Sequence, residues 1–132
     1  MDIEIGTKAT YKVMVDKSNT AKTMGSGSLD VFATPSMVAI MEKASTMALE
    51  RYLDNGATTV GTALDITHVS ATPIGLEVYA TAEVITVNNR KITLKVQAFD
   101  EVGLIGEGTH TRFIVFAEKF QNKADSKLLK NS

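Results

Sequence analysis

Only one stretch of this chain, Met37 to Leu49, is apolar on nearly every side of a helix, and almost everything after Gly56 alternates as strands do. That combination constrains the fold more than any other feature. The helix has start and stop signals: Thr34 followed by Pro35 opens it, and Asn55-Gly56 closes it after about Leu53. Ahead of it, Ala9 to Val15 reads as a first strand with Tyr11, Val13 and Val15 on one side. Between them, Asp16 to Asp30 turns polar and small, ending in Met24-Gly25-Ser26-Gly27-Ser28, which predicts a loop or lid.

Four further strands are expected: Thr59 to Ser70, Leu76 to Val87, Lys91 to Phe99 and Leu104 to Phe116. Thr72-Pro73-Ile74-Gly75, Asn88-Asn89 and Asp100-Glu101-Val102-Gly103 supply the turns. Short turns between consecutive strands imply antiparallel pairing. Such a sheet must hide one face, and a single apolar helix is the only element available to cover it. We therefore expect an α+β chain in which an antiparallel sheet of about five strands wraps around one long central helix, the hot-dog fold. One helix leaves the sheet edges open, so at least a homodimer is expected, with pairing into a tetramer left open. Residues 1–132 read as one domain, and the polar segment from about Asn122 to Ser132 as a frayed tail.

Composition narrows the function. With 14 basic and 15 acidic residues the net charge is −1, and aromatics are 6% of the chain, which argues against nucleic acid or an anionic membrane as partner. There is no cysteine, which removes disulfides, thiolate metal sites and a cysteine nucleophile, and two separated histidines do not suggest a metal centre. The N-terminal segment MDIEIGTKAT lacks the pattern of a secretion signal, and no apolar run approaches the roughly 18 residues of a membrane span, so a cytoplasmic location is expected.

Against that background Glu42 stands out. It lies in the middle of the apolar helix with Val38 and Ala39 behind it, Ser45 and Thr46 ahead and Leu49 two turns on. Burying a carboxylate uncompensated costs several kcal/mol, so either a partner reaches it from another element or it is kept for its chemistry. In Leu64-Asp65-Ile66-Thr67-His68 a period of two puts His68 on the apolar face with Leu64 and Ile66. A lone histidine there is more often a hydrogen-bonded core residue than a catalyst. Helix capping accounts for Thr34 by itself, although a hydroxyl at a helix start also lies beside backbone amides able to hold an oxyanion. Together Thr34, Glu42 and His68 offer a hydroxyl, a base and a proton shuttle for acyl transfer. His110 reads as solvated, since Glu107 to Arg112 is polar on both faces, and Arg112 reads first as a surface ion-pair partner. Lys119 and Lys123 read as solvated cations with phosphates of a large cofactor as the alternative, and Gly61, Gly106 and Gly108 mark bulges or close approaches.

Several stretches resemble the fluoroacetyl-CoA thioesterase group of the hot-dog acyl-CoA thioesterases. They are Val31-Phe32-Ala33-Thr34 with Met37-Val38 and Met41-Glu42, then Gly61-Thr62-Ala63 and Thr67-His68, then Ala71-Thr72-Pro73 with Gly75-Leu76. Gly106-x-Gly108-Thr109-His110 and Glu118-Lys119-Phe120 complete the set. The resemblance implies metal-independent hydrolysis of an acyl-CoA thioester, with coenzyme A entering only as part of the substrate, by a homodimer whose sites lie at the subunit interface. Thr34, Glu42 and His68 would be catalytic, with Glu42 as nucleophile or base for water, Thr34 positioning or attacking, and His68 handling the proton and the departing thiolate. Gly61 and Arg112 would approach the acyl group. The fluoroacetyl-specific enzyme carries bulky aromatics in a lid before its catalytic threonine, whereas Thr23 to Ser28 here has none. We therefore expect a short or medium acyl-CoA as substrate rather than fluoroacetyl-CoA. The alternative is a non-catalytic acyl-CoA or acyl-carrier binding protein on the same fold. An enoyl-thioester hydratase ranks last, because Pro35 to Lys43 lacks the Asp and His of those enzymes.

Overall fold

The computed structural model describes residues 2–130, with the side chain of Lys130 left aside. Strand β1 (Lys8–Met14) is followed by a 3-10 turn (Lys17–Asn19), a short helix α1 (Ala21–Met24) and the long helix α2 (Thr34–Leu49), which ends in a 3-10 turn (Glu50–Tyr52). Strands β2 (Ala57–His68), β3 (Glu77–Asn88), β4 (Lys91–Phe99) and β5 (Leu104–Phe116) complete one antiparallel sheet in the order β1-β3-β4-β5-β2. This is the hot-dog fold read from the sequence.

Alternation builds the core. Val78, Ala80, Ala82 and Val84 of β3, and Ile92, Leu94, Val96 and Ala98 of β4, turn one face to α2 and are wholly buried. From the helix come Met37, Met41, Ala44 and Leu49, also wholly buried. The small residues of β3 and β4 let a methionine-rich helix settle close to the sheet. α2 rests chiefly on β1, β3 and β4 and only lightly on β2. The side of the helix facing β2 and β5 is therefore left open, and the functional residues gather there.

Two expectations need correction. β2 and β3 are not a hairpin: residues 69–76 carry the chain away from β2, which pairs with β5 at the sheet edge, to β3 beside β1. Thr72, fully buried, anchors that crossover by donating its hydroxyl to Asp100 Oδ2 at 2.7 Å. The polar segment 16–30 is folded locally rather than a plain loop, because Asp16 caps the 3-10 turn, Thr20 caps α1 and Gly25 closes α1 in the left-handed region. Near the C-terminus the chain forms α3 (Ala117–Asp125) and α4 (Lys127–Lys130), with residues 122–129 exposed; residues 131–132 of the expected frayed tail lie outside the described residues. No helix among the described residues is long and apolar enough to cross a membrane.

Candidate active site

The first cluster forms where α2 begins. Thr34 is the first helical residue, preceded by Ala33 and followed by Pro35, and no side chain caps the helix. Capping, the simpler reading of Thr34, therefore fails: its Oγ1 lies 2.7 Å from Nδ1 of His68, the last residue of β2. The first-turn amides, left without a side-chain partner, face the same end of the molecule. As expected, His68 lies on the half-buried phase of β2, with Asp65 and Thr67 exposed on the other. Its Nε2 is buried with no hydrogen-bond partner among the described residues. Burial pushes the His68 imidazole below its ordinary value of 6.5, with the Ser70 backbone opposing, so the neutral ring is favoured. A cavity of about 280 Å³ opens over this pair, walled by Ala21, Ser26, Val31 and Phe32.

The second cluster forms two turns further along α2. Glu42 does not sit in the partner-poor apolar setting expected of it. It lies at the rim of the buried face, 44% exposed, and Arg112 Nη1 reaches it at 3.5 Å, with His110 Nε2 at 4.0 Å. Neither of those residues is a surface group: His110 is 2% and Arg112 6% exposed. Arg112 donates from Nε to Thr59 Oγ1 and from Nη2 to Thr59 O, both at 2.9 Å. Its Nη1 lies 3.1 Å from His110 Nε2, and His110 Nδ1 lies 2.9 Å from the carbonyl of Ala63. Burial, chiefly, holds the His110 imidazole below 6.5, with the Arg112 charge acting the same way and the Ala63 carbonyl and Glu42 opposing.

Gly61 leaves the space in which these groups meet. A Cβ there would lie 2.9 Å from Glu42 Oε2, 3.0 Å from His110 Cε1 and 3.2 Å from Arg112 Nη1. The register of β2 against β5 shifts between Gly61 and Ala63, leaving Thr62 as an extra residue on the outer edge. A second cavity, of about 250 Å³, is lined by Val38, Glu42, Gly61 and His110.

Thus Thr34 and His68 converge, and Glu42, Gly61 and Arg112 converge, but no contact joins the two groups within one chain. Eight residues of α2 separate Thr34 from Glu42, about 12 Å of helical rise. His110 and Thr59 were not recognised as parts of the site from sequence. Counting back in twos from the buried Ile114 places Arg112 and His110 on its face, a signal masked because the inward residues of that stretch are themselves polar or glycine. Lys119 and Lys123 lie apart from both clusters, beside Arg90, Phe116 and Phe120.

A family model described as fluoroacetyl-CoA-specific thioesterase matches residues 15–118. The fluoroacetyl-CoA thioesterase of Streptantibioticus cattleyicolor is 45% identical over 98 residues, which are 74% of this chain and 70% of that protein. A solved structure of a fluoroacetyl-CoA thioesterase superposes with a TM-score of 0.90 at 36% identity, covering 96% of this chain and 98% of the other. A mutant of that enzyme in complex with fluoroacetate and CoA gives 0.84 at 37% identity, covering 89% and 98%.

Proposed function

Since this chain belongs to the fluoroacetyl-CoA-specific thioesterase family, we propose that it hydrolyses a short or medium acyl-CoA thioester to the free acid and CoA, at a site that two copies complete together. The observation that carries this reading is the 2.7 Å contact of Thr34 Oγ1 with His68 Nδ1 at an uncapped helix start. A neutral imidazole accepts the hydroxyl proton at Nδ1 as Oγ1 attacks the thioester carbonyl. The first-turn amides of α2 receive the oxyanion. Collapse releases the CoA thiolate, which takes the proton from His68, and water then cleaves the acyl-threonine to free acid.

In this scheme Nε2 of His68 needs an acceptor, and among the described residues it makes no hydrogen bond. Glu42 of the partner subunit is the group we assign to it, an arrangement of hydroxyl, imidazole and carboxylate in which the carboxylate stabilises the imidazolium. The open edge of β2 supports that assembly. It carries Gly61 near its middle and His68 at its end, and edge-to-edge pairing of two copies through it removes an exposed edge. The second cavity, lined by Glu42, Gly61 and His110, would take the acyl group in such a dimer.

The substrate assignment rests on the walls of the first cavity. Ala21 and Ser26 stand on its lid side, so no aromatic ring closes over Thr34 from that segment, which is why a fluoroacetyl-specific role is not proposed. The chemistry draws on side chains and water, and we propose that it needs no metal; EDTA should leave the rate unchanged. The decisive measurement is CoA release from a panel of acyl-CoAs. Thr34→Ala, Glu42→Ala and His68→Ala should each lose about two to four orders of magnitude. Equal rates for Glu42→Ala and the unmodified protein would remove the mechanism. Saturable binding of a CoA ester without turnover would make the protein a binding module instead.

A further inference from the structure

We infer that His110 is the positioning residue of the Glu42 half-site: its imidazole, protonated at Nδ1 and bare at Nε2, receives an N–H of Arg112 and so fixes the guanidinium that holds Glu42. The inference rests on the thioesterase reading for its kinetic consequence and on the geometry alone for its chemical content.

The partners dictate the tautomer. A carbonyl oxygen can only accept, so the 2.9 Å contact with Ala63 O requires the hydrogen on Nδ1. A guanidinium can only donate, so the 3.1 Å contact with Arg112 Nη1 requires a bare Nε2. One species meets both conditions, the neutral ring with Nδ1–H. The other neutral tautomer sets N–H against N–H and turns a bare nitrogen to the Ala63 carbonyl, and the imidazolium sets two cations in contact inside the protein. The charged groups facing the ring are Arg112 from its own strand and Glu42 from α2.

The consequence reaches Glu42 through Arg112. Thr59 takes two of the guanidinium's hydrogen bonds and His110 takes a third, which sets the plane of the group and leaves Nη1 aimed between Nε2 and the carboxylate. The irregularity at Thr62 belongs to the same device, because the shift between Gly61 and Ala63 sets the register of the carbonyl that holds Nδ1–H. With Nε2 occupied by Arg112, His110 has no nitrogen free to shuttle protons. Its part in the reaction is to hold the group that orients the carboxylate.

The test has two arms. Long-range proton–nitrogen NMR on the ring nitrogens at pH 7 should show His110 as the neutral Nδ1–H tautomer; an Nε2–H ring or an imidazolium overturns the inference. The kinetic arm compares two variants. In His110→Gln the carboxamide oxygen reaches the place of Nε2 and accepts from Arg112, whereas in His110→Asn the shorter amide serves Ala63 only. His110→Gln should keep kcat within about threefold and His110→Asn should lose about tenfold or more, with KM little changed in both. Equal kcat values in the two variants, or a loss confined to thermal stability, overturn it. If the unmodified protein releases no CoA, the thioesterase reading falls by itself, and the inference is then decided by NMR. The Arg112 Nη1 protons should be resolved and exchange slowly in the unmodified protein and in His110→Gln and fast in His110→Asn; equal exchange in all three overturns it, as does fast exchange in His110→Gln should His110→Asn not fold.

Discussion

Gly61 is the residue on which the Glu42 half-site turns. The three atoms that a Cβ would meet all belong to side-chain ends, one of them on the half-exposed Glu42, so the backbone tolerates alanine while the gap between carboxylate, imidazole and guanidinium closes. Gly61→Ala should lose about tenfold or more in kcat/KM with a stability change within about 1 kcal/mol, checked by CoA release beside thermal unfolding. Gly108→Ala should behave in the opposite sense. Its Cβ would lie 1.9 Å from the backbone carbonyl of Asp65, which cannot swing aside, so unfolding should become easier by roughly 1–3 kcal/mol. The two histidines set the pH response. Both are held below 6.5 in the folded chain, so below that pH the unfolded chain binds more protons, and stability should be full above 6.5 and decline as pH falls from there. Denaturant titrations between pH 8 and 5 on His68→Gln and His110→Gln test this; each substitution should flatten the decline.

At the scale of elements, the crossover from β2 to β3 governs where His68 ends up. Asp100, 8% exposed in the turn between β4 and β5, accepts from Thr72 on the crossover and from the amides of Val102 and Gly103. One carboxylate thus ties the segment following His68 to the β4–β5 turn at the same end of the sheet. Asp100→Ala leaves the buried Thr72 hydroxyl unpaired and should destabilise by roughly 1–3 kcal/mol. Because it loosens the crossover, it should also lower kcat at temperatures where the variant remains folded. The elements themselves were readable in advance: all five strands and the long helix lie within two residues or so of where periodicity set them, apart from the helix end, where the last turn narrows to a 3-10 turn. The β2–β3 pairing was misread because turn residues announce a change of direction but not its span, and a chain of eight residues is long enough to cross the sheet end.

Across the whole molecule, the separation of Thr34–His68 from Glu42–Arg112 makes a quantitative prediction. If each site takes Thr34 from one copy and Glu42 from the other, Thr34→Ala and Glu42→Ala are each inactive alone. A mixed dimer of the two keeps one intact site of its two. Unfolding and refolding an equal mixture makes half of the dimers mixed, so activity should return to about a quarter of the unmodified level. No recovery, with mixed dimers demonstrated by mass, would confine each site to one chain. Dilution below the dimer dissociation constant should abolish activity in parallel with sedimentation as a monomer.

What the sequence determined by itself was the architecture and the roster of reactive residue types. A 3.6-residue stripe and a two-residue alternation are local properties, written in consecutive side chains, and they compel one helix against one sheet. The pairing of His68 with Thr34 instead of a cap, and the burial of His110 and Arg112 under Glu42, were decided only in three dimensions. Those contacts depend on which strand lies beside which, on a one-residue shift at Thr62 and on the absence of a side chain at Gly61. The reason is one of range: periodicity tells a residue which face it occupies, and only the packed register tells it which partner waits there.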